Sequence, residues 1–232
     1  MKRETSISIF AISIITGILL FAAGCKQHDN PVVVPTTVAD IDGNVYHTVT
    51  IGTQVWMVEN LKVTRYNDGT AIPYVPDSAD WVALKTQGYC WYGNNASANK
   101  NSYGALYNGY VLSSGKNIAP VGWHIPADSE WTILTTWLGG ENVAGDKLKE
   151  AGSAHWSIMN VSATNESGFT ALPGGYRGSF AKFAGMGSVG FWWSSTPYGY
   201  GFLYRYMYDN DSRVESGNIN KEWAYSIRCI RD

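Results

Sequence analysis

Strict alternation of apolar and polar positions marks the start and the end of the chain. Residues 45–58 alternate on both sides of Gly52, which predicts two β-strands joined by a tight turn. Residues 202–208 and 224–230 show the same period of two, and residues 89–92 form a short aromatic run. We expect each of these segments to be a strand, because aromatic residues favour strands.

A helical period appears only in the middle of the chain. In residues 127–140, Trp131, Leu134 and Leu138 fall on one helix face, and two glycines end the pattern. A shorter helix is predicted over residues 143–151, whereas the polar residues 93–103 are expected to form a loop. Because strands, two helices and further strands follow one another in blocks, the predicted fold class is α+β.

The N-terminus has the pattern of an export signal. Lys2 and Arg3 precede an uncharged apolar segment, residues 7–24, and Cys25 follows directly. The sequence before Cys25 resembles a bacterial lipobox, in which the cysteine becomes the lipidated first residue. An uncleaved membrane anchor is the alternative, since eighteen apolar residues are close to the length of a spanning helix.

These features divide the chain into three parts. Residues 1–24 are the predicted lipoprotein signal peptide, residues 25–38 a flexible tether, and residues 39–232 one folded domain. Loss of residues 1–24 would change the formal net charge from −2 to −3. The absence of any basic run argues against a nucleic-acid partner. We expect membrane association through the lipid anchor only, at the bacterial outer membrane, facing either the periplasm or the outside.

Six ordered motifs carry a resemblance to a known family. They are DIDGNVYHTVTIGTQVWMVENLK (40–62), YGALYN (103–108), PVGWHIPADSEWTIL (120–134), ATNESGFTALPGGYR (163–177), FWWSST (191–196) and SIRCIRD (226–232). Together they resemble the major paralogous domain first named in Fibrobacter, known as FISUMP, over essentially the whole predicted domain. Proteins of this family are typically exported, often as lipoproteins.

The resemblance implies a C-type lectin-like fold, related to that of formylglycine-generating enzymes. In such a fold the N- and C-terminal strands pair, two helices flank small antiparallel sheets, and long loops carry the ligand site. The sequence departs from the family pattern at two positions. Ala119 replaces a cysteine, and Ala127 replaces the threonine of a helix capping box, so Asp128 is expected to take over as the cap.

Two cysteines remain after lipidation of Cys25. An exported chain with Cys90 and Cys229 predicts one disulfide, although two buried thiols are the alternative. The resemblance supports the bridge, because a C-type lectin-like fold often ties its last strand to the body of the domain.

Catalytic motifs are not evident in the sequence. The four histidines are separated, and the metal, redox and nucleophile motifs HExxH, CxxC and GxSxG do not occur. A non-catalytic protein is therefore expected, and an enzyme of the formylglycine-generating type is an alternative. Calcium is a possible cofactor, because Asp209, Asn210 and Asp211 offer oxygen ligands, although a simple turn explains these residues as well.

The segment from Gly190 to Arg213 is the candidate recognition surface. Alternation places Phe202, Tyr204, Tyr206 and Tyr208 on one strand face, and Leu203, Arg205 and Met207 on the other. Tyrosine, tryptophan and arginine are frequent in recognition surfaces, whereas packing in the core is the competing interpretation. The predicted ligand-binding residues are Trp193, Tyr198, Tyr200, Arg205, Tyr208, Asp209, Asn210 and Arg213. The predicted partner is a glycan or a surface protein, and a structural part of a surface assembly or pilus is a further alternative.

Overall fold

A computed structural model describes Met1 and residues 36–232. The predicted signal peptide, Cys25 and most of the tether therefore lie outside the described residues. The first strand begins at Thr37, inside the predicted tether 25–38, so the folded part starts two residues earlier than expected. Within residues 36–232, no helix is both long enough and apolar enough to cross a membrane.

The described residues begin with three strands, continue with short helices and strands, and end with seven consecutive strands. The strands are β1 Thr37–Ala39, β2 Val45–Ile51, β3 Gln54–Met57, β4 Tyr89–Cys90, β5 Leu106–Asn108, β6 Trp123–His124, β7 Gly174–Arg177, β8 Phe183–Met186, β9 Val189–Tyr198, β10 Gly201–Tyr208, β11 Glu215–Asn220, β12 Ala224–Tyr225 and β13 Ile230–Arg231. The helices are α1 Ser78–Ala83, α2 Ala96–Tyr103, α3 Gly109–Leu112, α4 Asp128–Trp137 and α5 Glu141–Leu148, with a 3₁₀ turn at Tyr92–Asn94. This composition confirms the predicted α+β class.

The first sheet joins the two ends of the domain. Its strand order is β1-β2-β3-β13-β6, and every pair in it is antiparallel. Strands β2 and β3 form the hairpin predicted around Gly52, and Ile230 of β13 lies opposite Trp56 of β3. The last strand therefore pairs with β3, the second arm of the hairpin near the start of the domain, and not with the first strand β1.

The second sheet carries the tyrosine-rich segment. Its order is β11-β10-β9-β7-β12-β5-β4, with β8 paired to β7 at the side. All of its pairs are antiparallel except β7 and β9, which run parallel where Gly175 meets Gly190. Strands β9, β10 and β11 form a long meander at one edge of this sheet.

The main core lies between the two sheets and the helices α4 and α5. Trp131, Leu134 and Leu138 face inward as their spacing predicts, and Ala144 and Leu148 join them from α5. The same cluster contains Trp56, Phe169, Trp192 and Met207. Because each buried tryptophan removes about 200 Å² from water, these rings dominate the stabilisation of the core.

The structure differs from the sequence prediction in two ways. The short helices α1, α2 and α3 were not predicted, and one predicted strand is interrupted. Residues 96–103, predicted as a loop, form α2, which begins at the Asn95 cap and ends at Gly104. The predicted strand over residues 224–230 is interrupted between β12 and β13. The interruption follows from Arg228, whose side chain turns inward and is fully buried.

The buried side-chain amide of Asn60 forms hydrogen bonds to residues of three other sequence motifs. Asn60 Oδ1 accepts hydrogen bonds from Trp192 Nε1 at 2.8 Å and from Arg228 Nη2 at 3.0 Å, and Asn60 Nδ2 donates to the Tyr103 carbonyl. Arg228 also donates to the Phe169 carbonyl and stacks on the Phe169 ring. Burial lowers the pKa of Arg228 to about 9. The motifs are thus linked by interactions that hold the fold together.

The predicted disulfide is wrong for this structure, which has two free thiols. Cys90 packs in a separate small cluster with Val75, Trp81 and Leu106. Cys229 lies in the segment between β12 and β13 and is also fully buried. The structure therefore agrees with the alternative interpretation of the sequence, in which Cys90 and Cys229 are two buried thiols.

Candidate functional site

The β9–β10 hairpin separates two sets of side chains, as the alternation predicts. Trp192 and Met207 belong to the main core that α4 and α5 cover. On the opposite face, Phe191 lies beside Tyr206 and Tyr204. The hairpin therefore has one covered face and one face on which the tyrosines collect.

Seven rings on that second face form a continuous aromatic surface, which we call the tyrosine face. Its members are Tyr176, Phe191, Tyr204, Tyr206, Tyr208, Trp223 and Tyr225. Phe191 and Tyr225 are buried at its base, stacked with ring centroids 4.8 Å apart. Tyr208 is exposed, and Tyr176, Tyr204, Tyr206 and Trp223 are half-buried. The face thus offers rigid, partly exposed rings whose conformations are fixed by their neighbours.

Gly217 of β11 gives Tyr204 its place in this face. Gly217 lies directly opposite Tyr204, and a Cβ atom at Gly217 would come within 2.5 Å of the Tyr204 hydroxyl oxygen. The absent side chain lets the Tyr204 ring lie across the neighbouring strand. Any larger residue would push the ring off the sheet.

Hydrogen bonding and burial keep the hydroxyls of Tyr204, Tyr206 and Tyr225 neutral. Tyr206 donates to Glu215 Oε2 at 2.5 Å on the adjacent strand. Burial and then this hydrogen bond raise the pKa of Tyr206 well above its ordinary value. Burial and neighbouring tyrosines likewise raise the pKa of Tyr204 and of Tyr225. The face therefore presents neutral hydroxyl groups at its rim, with Glu215 as an adjacent carboxylate.

Two predicted ligand-binding residues are buried and serve the fold. Trp193 is fully buried, and its Nε1 donates to the Tyr107 carbonyl at 2.7 Å. Arg205 is buried beneath the sheet, where it forms ion pairs with Asp128 at 2.7 Å and with Glu141. Their prediction as surface residues is therefore wrong, because each side chain has its partners inside the domain.

The other six predicted residues fall into two separate groups. Tyr198 and Tyr200 lie at the β9–β10 turn, where Tyr200 is 96% exposed. Tyr208, Asp209, Asn210 and Arg213 lie at the opposite end of β10. Eight residues of strand separate the groups, a distance of about 25 Å. Of all eight predicted residues, only Tyr208 belongs to the tyrosine face.

The backbone of residues 208–211 surrounds the ammonium group of Lys149. Lys149 Nζ donates to the carbonyls of Tyr208 at 3.0 Å and Asp211 at 2.8 Å, and it lies 3.3 Å from an Asp146 carboxylate oxygen. The Asp211 carboxylate pairs with Arg213, and that of Asp209 accepts from Ser157. The carboxylates of Asp209 and Asp211, two of the groups considered for calcium, are therefore already engaged by protein groups. Within residues 36–232, no cluster of three or more His, Cys, Asp or Glu residues is arranged to hold a metal ion.

The three described histidines each pair with a carboxylate. His124 lies between Asp232 and Glu130, which contact its Nδ1 at 2.6 Å and its Nε2 at 2.9 Å. His47 pairs with Glu59, and His155 with Glu150. Glu130 also accepts from the Ala127 amide at the start of α4. Ala127, and not the predicted Asp128, occupies the cap position, and the Asp128 carboxylate is used by Arg205.

Sequence reasoning missed the two half-buried members of the tyrosine face that lie outside residues 190–213, Tyr176 and Trp223. They come from β7 and from the turn before β12, far from the β9–β10 hairpin in sequence. Alternation did place Tyr204, Tyr206 and Tyr208 on one face. The partners could not be found this way, because they depend on the strand order of the sheet.

A family match covers most of the folded part of the chain. Residues 49–231 match the family described as the Fibrobacter succinogenes major domain. Searches of curated proteins and of solved structures found no match. The matched range begins within β2 and leaves out β1, and it includes the whole second sheet, the helices α4 and α5 and the whole tyrosine face. Because the match spans more than half of the chain, this protein belongs to the Fibrobacter succinogenes major domain family.

Proposed function

We propose that this protein is a non-catalytic binding domain that recognises a glycan or a surface protein through the tyrosine face. The observation that carries this proposal is the continuous surface of seven rings, five of them half-buried or exposed. Tyrosine supplies large contact area and a hydroxyl group at low conformational entropy cost, which suits a recognition surface. A C-type lectin-like origin of the domain is part of this proposal.

The face suits binding better than catalysis. The hydroxyls of Tyr204, Tyr206 and Tyr225 are neutral, and the adjacent carboxylate of Glu215 is engaged by Tyr206 and Arg213. The histidines lie elsewhere in the domain, each paired to a carboxylate. Recognition by rigid aromatic anchors needs none of these groups to change protonation state. An enzyme of the formylglycine-generating type and a structural role in a surface assembly or pilus remain the competing functions.

The proposed binding is tested with variants at opposite ends of the face. Tyr208→Ala and Trp223→Ala remove two partly exposed rings, and each should weaken binding on glycan arrays or in pulldowns of surface proteins about ten-fold. Tyr200→Ala is the matched control, since Tyr200 is more exposed than Tyr208 but lies at the distant turn. Unchanged binding in both face variants would reject the tyrosine face as the site.

The proposal places the domain at the bacterial outer membrane, anchored through a lipid on Cys25. The sequence around Cys25 supports this placement, and the short segment between Cys25 and β1 would act as the spacer. Cys25→Ser should abolish metabolic labelling with palmitate and release the protein from membranes. Retention of the variant in the membrane fraction after a carbonate wash would instead support an uncleaved apolar anchor.

Calcium is not required in the proposed binding. Lys149 supplies the positive charge to which the carbonyls around residues 208–211 point. We therefore expect the melting temperature and ligand binding to be the same in excess EDTA and in millimolar calcium. A melting temperature that rises with calcium concentration would contradict this expectation, because a ligand bound only to the folded state stabilises it.

A further inference from the structure

The last residue of α4, Trp137, presents a large aromatic ring to solvent. Its side chain is 66% exposed, which is unusual for a tryptophan and differs from the buried helix tryptophans Trp81 and Trp131. It lies far from the tyrosine face, because α4 covers the opposite side of β9 and β10. The ring has no role in the main core and none in the proposed binding by the tyrosine face.

Gly52 at the β2–β3 turn supports one face of the Trp137 ring. A Cβ atom at Gly52 would lie 2.7 Å from Trp137 Cδ2, 3.0 Å from Cγ and 3.1 Å from Cε3. These distances describe a position above the ring plane, since an atom in the plane would approach one ring edge more closely. The backbone of the turn therefore packs flat against the indole. The other face of the Trp137 ring is the one exposed to solvent.

Two grooves meet at Trp137, and we call them together the tryptophan groove. The first, of about 420 Å³, is lined by Ile51, Thr53, Thr132, Ile133, Thr136 and Trp137. The second, of about 460 Å³, is lined half by polar residues, which are Thr50, Lys147, Glu166 and Ser167. Ile51 and Trp137 line both grooves, so a bound chain that occupies both must cross the indole.

Polar groups in the groove are available to a ligand. The hydroxyls of Thr53 and Thr136 have no hydrogen-bond partner within residues 36–232, and both residues are exposed. Lys147 and Glu166 form an ion pair of 3.1 Å at the far end of the second groove. Because these two charges balance each other, the groove favours a neutral polar ligand over an ion.

We propose that the tryptophan groove binds a neutral oligosaccharide, with one sugar ring stacked on Trp137. A sugar has an apolar C–H face, which fits a flat indole, and hydroxyl groups at its edges, which fit isolated threonine hydroxyls and a charged pair. A purely apolar ligand would leave those polar groups unpaired, at a cost in binding free energy. The ring is held in place by Gly52 before binding, so little side-chain entropy is lost on association.

The experiment uses the full-length chain, purified in detergent and labelled with ¹⁵N. Cellohexaose, maltohexaose, mannohexaose and chitohexaose are titrated separately, and the indole N–H resonance of Trp137 is assigned from Trp137→Phe. We expect at least one hexasaccharide to shift this resonance. Trp137→Ala should weaken that binding at least ten-fold, whereas Phe180→Ala, at an exposed ring away from the groove, should not.

Two further variants separate stacking from general structural damage. Gly52→Ala should displace the indole and weaken binding although it removes no polar group; because Gly52 has φ +61°, alanine also strains the turn, and an otherwise unchanged ¹⁵N spectrum is required to show that the fold is kept. Thr53→Val together with Thr136→Val keeps the ring in place and should weaken binding through lost hydrogen bonds. No shift of the Trp137 indole with any of the four sugars would overturn the proposal. Sugar binding that survives Trp137→Ala but is lost in Tyr208→Ala would also overturn it, and would instead support the tyrosine face.

Discussion

Arg205 forms ion pairs with the first residues of helices α4 and α5. Its guanidinium lies under strand β10 and pairs with Asp128, the first residue of α4, and with Glu141, the first residue of α5. Burial alone lowers the pKa of Arg205, but the two carboxylates outweigh it and raise the pKa above its usual value. The carboxylates also lie at helix N-termini, where negative charge is favourable.

Replacing Arg205 with leucine should therefore lower the free energy of unfolding by about 3 kcal/mol. The loss arises mainly because the largely buried Asp128 carboxylate would remain without its cation, whereas the Glu141 side chain is half exposed to solvent. Urea denaturation gives the measurement. Arg213→Leu is the matched control: Arg213 also contacts two carboxylates but is exposed, so little or no change is expected. Equal decreases in the free energy of unfolding for the two substitutions would show that the buried ion pairs of Arg205 do not stabilise the fold more than exposed ones do.

The two buried thiols give a second prediction at the residue scale. Burial raises the pKa of Cys90 to about 12 and raises the pKa of Cys229 further still. Iodoacetamide at pH 8 should leave both unmodified in the folded protein, because the thiolate is the reactive form. Both should be alkylated after unfolding without any reductant. A disulfide-linked pair of peptides containing Cys90 and Cys229 in an unreduced digest would contradict the structure.

At the scale of elements, His124 fastens the last strand to helix α4. The histidine belongs to β6, Asp232 follows β13, and Glu130 lies in the first turn of α4. Burial lowers the pKa of His124, but the hydrogen bonds to Asp232 and Glu130 outweigh it, so the folded-state pKa lies above the ordinary value. The stabilisation is therefore complete below the unfolded-state pKa of about 6.5 and is lost as pH rises through the folded-state pKa.

We therefore expect the contribution of His124 to fall as pH increases above neutrality. The measurement is the free energy of unfolding of the native chain and of His124→Gln between pH 5.5 and pH 9. The difference between the two proteins should be largest at the acidic end and should shrink towards the alkaline end. A difference that is constant with pH would mean that the charge of His124 does not contribute.

The elements that the sequence predicts best are those with a clear apolar period. The β2–β3 hairpin, α4, α5 and β10 were each found within a few residues of their predicted bounds, and α4 and α5 each bury one face. Helix α2 was missed because it buries no residue, so its sequence has no apolar period. The Asn95 cap and the Gly104 stop were the signals that could have revealed it.

The candidate site was harder to predict than the fold for a physical reason. Alternation assigns residues to strand faces, but it does not tell which face another layer covers. Arg205 suits a surface by its charge, yet its partners Asp128 and Glu141 lie more than sixty positions earlier in the chain. Tyr176 and Trp223 reach the tyrosine face only through the order of strands in the sheet.

At the scale of the whole molecule, the domain combines a dense aromatic core with two separate exposed aromatic features. Strand β10 connects them physically: its inner face packs towards α4, which ends at Trp137, and its outer face carries three tyrosines. The tyrosine face and the tryptophan groove are therefore distinct surfaces of one rigid body. Their separation makes them independently testable by substitution.

Photocrosslinking on intact cells tests the central claim, recognition by the tyrosine face, most directly. A benzoylphenylalanine residue replaces Tyr208, on the face, or Tyr200, at the distant exposed turn, and the cells are irradiated. The account predicts a discrete higher-mass product for the probe at position 208, which excess soluble ligand-free domain competes away, and none for the probe at position 200. A product from position 200 alone, or from neither position, would contradict recognition by this face.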